Sequence, residues 1–81
     1  MRVLVIEDDA KLADYIARSL KEVGYIVDQT VDGAEGFSLA SSTTYDVLIV
    51  DRMIPTVDGL AVVQSIRGSG NDVPILMLTA L

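Results

Sequence analysis

Apolar positions along this chain switch between two spacings. Arg2-Val3-Leu4-Val5-Ile6 and Asp46-Val47-Leu48-Ile49-Val50 are short runs rich in β-branched residues. Continuous apolar runs of that length predict parallel strands buried on both faces. Between them Ala13, Ile16, Ala17 and Leu20 recur at helical intervals, with Asp14, Arg18 and Lys21 elsewhere on the wheel. Asp9 suits the N-cap of that helix and Gly24 its stop. Tyr25-Ile26-Val27-Asp28-Gln29-Thr30 is shorter in apolar content, as an edge strand should be. Asp32 predicts the cap of a second helix from Ala34 to Ser41, burying Phe37 and Ala40. Ser41-Ser42-Thr43-Thr44 reads as its exit loop.

Beyond Val50, Asp51 to Gly59 form a loop containing Pro55 and the turn pair Asp58-Gly59. Leu60, Val63 and Ile66 mark the buried face of a third helix that ends before Gly68. Pro74 opens a last strand, Ile75-Leu76-Met77-Leu78, and Thr79-Ala80-Leu81 closes the sequence. The order β-α-β-α-β-α-β, with right-handed crossovers, predicts an α/β doubly wound parallel sheet. A flavodoxin-like strand order sets strands one and three side by side, two outside one and four outside three. A single domain, 1–81, accounts for the length.

Both of those neighbouring strands end in carboxylates: Glu7-Asp8-Asp9 after the first and Asp51 after the third. Chemistry in open α/β sheets gathers just beyond the carboxyl ends of the strands. Acidic side chains crowded there repel one another and need a compensating cation. The chain has no cysteine and no histidine. Thiolate and imidazole ligands are thereby excluded, and so are disulfides, thiol nucleophiles and imidazole general bases. What remains is a hard cation held by oxygen: magnesium, manganese or calcium.

The formal net charge of -6 opposes nonspecific binding of nucleic acid by this segment. With 51% hydrophobic and 22% charged residues, the composition is that of a folded chain. No apolar run approaches membrane-spanning length, and Glu7, Asp8 and Asp9 interrupt the N-terminus too early for a signal peptide. The expectation is a cytoplasmic protein with no membrane partner.

From Arg2 to Ala80 the sequence resembles the receiver domain of two-component response regulators. Four parts carry the resemblance: Glu7-Asp8 after strand one, Asp51 after strand three, Pro55-Thr56-Val57-Asp58-Gly59, and Thr79-Ala80 after strand four. The resemblance implies that Asp51 accepts a phosphoryl group from a sensor histidine kinase, within a phosphorelay. Mg2+ would be held by Asp8, Asp51 and the backbone carbonyl of Met53, and by Glu7 through water. Thr79 would donate its hydroxyl to the phosphoryl group, with Ala80 beside it in the switch. Pro55, Asp58 and Gly59 are read as structural, shaping the loop and starting the third helix. Arg52 reads as a solvated loop cation, Asp9 as a cap, and Tyr25, Phe37 and Tyr45 as packing residues. Receivers are phosphoacceptors that catalyse their own phosphoryl transfer and dephosphorylation. The wording Glu-Asp-Asp and Asp-Arg-Met-Ile-Pro is similar to regulators that carry a winged-helix DNA-binding domain.

Family receivers continue through a fourth helix, a fifth strand and a fifth helix, and the fifth strand carries a lysine that pairs with the phosphoryl group. The chain given stops at Leu81, and Lys11 and Lys21 both fall on the first helix. The sequence therefore reads as the N-terminal part of a receiver. Strand four is expected to be an apolar edge open to self-association. The competing functional reading is an interaction or dimerisation module that takes no phosphoryl group. A metal-dependent phosphohydrolase using Asp51 as nucleophile is a third, for which neither an additional acid nor a substrate cap is identifiable.

Overall fold

A computed structural model describes residues 1–52, 54 and 58–78. The elements are β1 (Arg2–Ile6), α1 (Ala10–Glu22), β2 (Ile26–Thr30), α2 (Gly33–Ser42), β3 (Val47–Asp51), α3 (Gly59–Gly68) and β4 (Ile75–Leu78). All strand pairs are parallel and the sheet order is β2-β1-β3-β4, as the flavodoxin-like reading requires. Among the described residues no helix is long and apolar enough to cross a membrane.

Strand alternation divides the core. Leu4, Ile6, Leu48 and Val50 pack on one face of the sheet with Ala40 of α2 and with Val62 and Ile66 of α3. Val3, Val5, Val27 and the half-buried Val47 and Ile49 pack on the other, with Ala17 of α1 and the partly buried Ile16 and Leu20. One face is thus covered by two of the helices and the other by α1.

The helix starts follow the predicted caps. Asp9 accepts from the backbone N–H groups of Lys11 and Leu12 at 3.0 and 3.2 Å. Asp32 accepts from Ala34 at 2.9 Å, and Asp58 accepts from Leu60 at 3.0 Å. Each bond satisfies an amide that has no partner within its own helix. Gly24, with φ of +95°, occupies the left-handed position that ends α1.

The third helix departs from expectation in two respects. It runs through Gly68 and is closed by Ser69 and by Gly70, whose φ is +85°. Its buried face is Gly59, Val62 and Ile66, whereas Leu60 is exposed and Val63 only half-buried. The apolar residues of α3 occupy so much of the wheel that periodicity alone does not orient it.

A polar network ties the N-terminal ends of the central strands together. The Arg2 N–H donates to Asp46 Oδ2 at 2.7 Å, and the Asp46 N–H donates to the Arg2 carbonyl at 2.8 Å. The Arg2 guanidinium reaches Asp28 Oδ2 at 3.1 Å and lies 5.8 Å from the centre of the Tyr45 ring. The Tyr45 hydroxyl also donates to Asp28 Oδ2, at 2.8 Å, so this tyrosine is a polar anchor as well as a packing residue. That hydroxyl, and then Arg2, hold the Asp28 carboxyl below the usual carboxylate range. Burial pushes the Tyr45 hydroxyl up, with the Asp28 carboxylate adding to it. The Asp28 contribution to stability is therefore present above its ordinary pKa and lost as pH falls through the lowered one.

Candidate metal and phosphoryl site

The site grows out of strand register. β1 and β3 pair Val3 with Val47 and continue to Ile6 with Val50. One residue further on each strand stand Glu7 and Asp51. By alternation both fall on the face that carries Val3, Val5, Val47 and Ile49. Asp8 follows directly and is exposed.

Carboxylate oxygens of Glu7, Asp8 and Asp51 all lie within 4.8 Å of one another. Glu7 is only 3% exposed, and its Oε2 is a buried oxygen with no hydrogen-bond partner among the described residues. A buried, unpartnered carboxylate oxygen is costly unless a cation or a proton compensates it. Burial first, then a hydrogen bond and repulsion from Asp51, then Asp8, push the Glu7 carboxyl up to about 8. An all-oxygen donor set of this kind fits a hard divalent cation, which would supply the compensating charge.

Neighbouring segments hold the acidic ends in place. The Glu7 N–H donates to the Thr30 carbonyl at 3.0 Å, anchoring the first residue beyond β1 to the end of β2. The Thr30 hydroxyl, in a buried residue, accepts from the Asp32 N–H at 3.2 Å. On the other side the Arg52 N–H donates to the Leu78 carbonyl at 2.9 Å, and the Arg52 carbonyl accepts from Gly59 at 2.9 Å. Arg52 itself is exposed, as a solvated loop cation would be. Two glycines allow helices to close on these strand ends: a Cβ on Gly36 would meet the Ile6 side chain, and one on Gly59 would meet the Asp51 and Arg52 backbone. Neither contact has a hydropathy signature, and sequence reading misses both.

The structure thus brings together Glu7, Asp8 and Asp51, and places Asp58 and Gly59 at the start of α3. Asp9 stays with its helix cap. Met53, Pro55, Thr79 and Ala80 lie outside the described residues.

Comparison with known proteins agrees with this architecture. Residues 3–81 match the family described as the response regulator receiver domain. The chain is 40% identical over 81 residues to the probable transcriptional regulatory protein SilR of Salmonella typhimurium, covering all of this chain and 36% of that protein. It is 42% identical over 80 residues to the response regulator MprA of Mycobacterium tuberculosis, covering 99% of this chain and 35% of MprA. The chain therefore spans about a third of the length of these curated relatives.

Among solved structures, a Francisella response regulator receiver domain superposes with a TM-score of 0.94 at 34% identity, over 99% of this chain and 66% of that one. TrrA of Thermotoga maritima, solved in complex with Mg2+-BeF, gives a TM-score of 0.92 at 34% identity, over 99% of this chain and 70% of that one. Receiver domains of this family bind Mg2+ at acidic residues and pair with histidine kinases, TrrA itself having been solved with the kinase ThkA. On its sequence, its sheet order and its acidic strand ends, the chain belongs to the response regulator receiver domain family.

Proposed function

We propose that Asp51 is the phosphoacceptor of a two-component receiver, working beside a Mg2+ ion held by Glu7, Asp8 and Asp51. The observation that carries this reading is the convergence of three carboxylates within 4.8 Å at the ends of adjacent strands, one of them with a buried oxygen that has no hydrogen-bond partner among the described residues. In the transfer, an Asp51 carboxylate oxygen forms a bond to phosphorus. The P–N bond to the phosphohistidine of a sensor kinase breaks, and the imidazole leaves with that electron pair and takes up a proton. Glu7, Asp8 and Asp51 would hold the ion, whose charge would offset the repulsion between the carboxylate and the anionic phosphoryl group. Asp8 would hold the ion directly, and Glu7, on its longer side chain, would hold it through water.

The remaining assignments belong to the same reading. The Met53 carbonyl would complete the oxygen set, and Thr79 and Ala80 would serve as the phosphate-binding switch. Pro55 shapes the loop before Asp58 and Gly59. Mn2+ or Ca2+ would meet the same donors. The donor is a sensor histidine kinase, the location is the cytoplasm, and the output is transcriptional, in keeping with the relative SilR, a transcriptional regulatory protein.

The test is incubation of the chain with Mg2+ and a small acyl phosphate, followed by intact-mass measurement. One phosphoryl adduct that is absent from Asp51→Asn is the expected result. Steady turnover of phosphate esters would assign a phosphohydrolase instead, and no adduct from any donor would leave an interaction module.

A further inference from the structure

We infer that Gly59 is a positioning residue for the phosphoacceptor, beyond its part in the turn that starts α3. This rests on the receiver reading of Asp51. Gly59 is the first residue of α3, directly after the Asp58 cap, and is buried. A Cβ there would lie 2.8 Å from the Arg52 Cα and 2.9 Å from the Asp51 carbonyl carbon, and closer still to the Asp51 carbonyl oxygen. All three are backbone atoms, which cannot rotate aside as a side chain would. The Gly59 N–H meanwhile donates to the Arg52 carbonyl at 2.9 Å. The start of α3 therefore bears directly on the peptide that carries Asp51, through one hydrogen bond and one close approach open only to glycine.

Local propensity and tertiary contact make opposite forecasts. Within a helix alanine is ordinarily favoured over glycine. At Gly59 the added methyl must push the end of β3 away from α3 or lift α3 off the sheet. Either movement displaces the Asp51 carboxylate from Glu7 and Asp8. A misplacement of about 1 Å at a reacting group can cost about 100-fold in rate.

The experiment compares Gly59→Ala with Ile66→Ala, which opens a cavity on the same helix face, two turns beyond Gly59, at a residue 1% exposed. With an acyl phosphate donor and Mg2+, Gly59→Ala is expected to lower the maximal rate of adduct formation by about 100-fold and leave the half-saturating donor concentration unchanged. Ile66→Ala is expected to lose stability while its folded fraction reacts at the parental rate. Amide NMR shifts of Asp51 and Arg52 should move in the first variant and stay put in the second. Parental rate and unmoved amides in Gly59→Ala would overturn the inference. Should that variant fail to fold, hydrogen exchange of the Gly59 amide in the parent chain decides. Protection equal to that of the β3 amides supports positioning, and exchange at the rate of an exposed loop amide overturns it. A parent that takes no adduct would sink the phosphoacceptor reading of Asp51, while the amide shifts would still report whether Gly59 sets the place of Asp51.

Discussion

In buffer containing a chelator, the chain is expected to lose stability as pH rises from about 4.5 toward about 8, and Mg2+ is expected to restore it. The cause is Glu7, whose carboxyl is pushed from its ordinary 4.5 up to about 8 by burial and by Asp51 and Asp8. Across that window the folded state holds a proton that the unfolded chain releases. Stability is then fully present below the unfolded pKa and falls as pH passes upward through the folded one. Each tenfold difference in proton affinity is worth about 1.4 kcal/mol. For a domain this small about 1 kcal/mol moves the melting temperature by about 4–8 °C.

A bound divalent ion replaces that proton, so its affinity should rise with pH up to about 8. Thermal melts across this range, with and without Mg2+, check both statements. Glu7→Gln keeps the shape and removes the charge, and should flatten the pH slope of the metal-free protein and weaken the response to Mg2+. A slope that survives Glu7→Gln would assign the pH dependence to another group.

Leu48→Ala is expected to destabilise the fold by about 2–5 kcal/mol, while Ile49→Ala costs clearly less. The two residues are adjacent on β3 and point to opposite faces. Leu48 is fully buried beneath α2 and α3, whereas Ile49 is half-buried on the face covered by α1. A cavity beside Leu4, Val62 and Ile66 has packed neighbours on every side, and surrounding side chains collapse into it only in part. Small domains have little stability in reserve, so Leu48→Ala should leave a large unfolded fraction at room temperature. Denaturant unfolding of the two variants, followed by circular dichroism, measures the difference. Equal losses would mean that the two faces of the sheet contribute alike.

The strands and the helix starts were legible because each rests on a local cue: a β-branched run, or an aspartate before a helical pattern. Strand order followed instead from the doubly wound fold that the β-α alternation implies. Glu7, Asp8 and Asp51 were legible for a related reason, since each stands at the end of a strand whose neighbour the topology names. The orientation of α3 was not. Leu60, Ala61, Val62, Val63 and Ile66 give no single apolar stripe, and the buried face begins with a glycine that carries no apolar side chain. The roles of Gly36 and Gly59 are invisible for the same reason, because what matters is the atom that is missing and the backbone or side chain that fills its place. The Arg2, Asp28, Tyr45 and Asp46 network also escaped, since its partners are cross-strand neighbours up to 44 residues apart in sequence.

The in-register pairing of β1 with β3 gives the carboxylate cluster a built-in ruler. Adjacent strands in any sheet stand about 4.8 Å apart, a distance fixed by the length of the peptide hydrogen bond. Glu7 and Asp51 inherit their spacing from that ladder before any loop residue contributes. The gap between them should therefore resist changes in the loop sequence beyond β3. A single-residue insertion or deletion within either strand has the opposite effect, since it turns one carboxylate to the far side of the sheet. Length change in these two strands is tolerable in steps of two residues, and the gauge of the carboxylate cluster is that of the backbone itself.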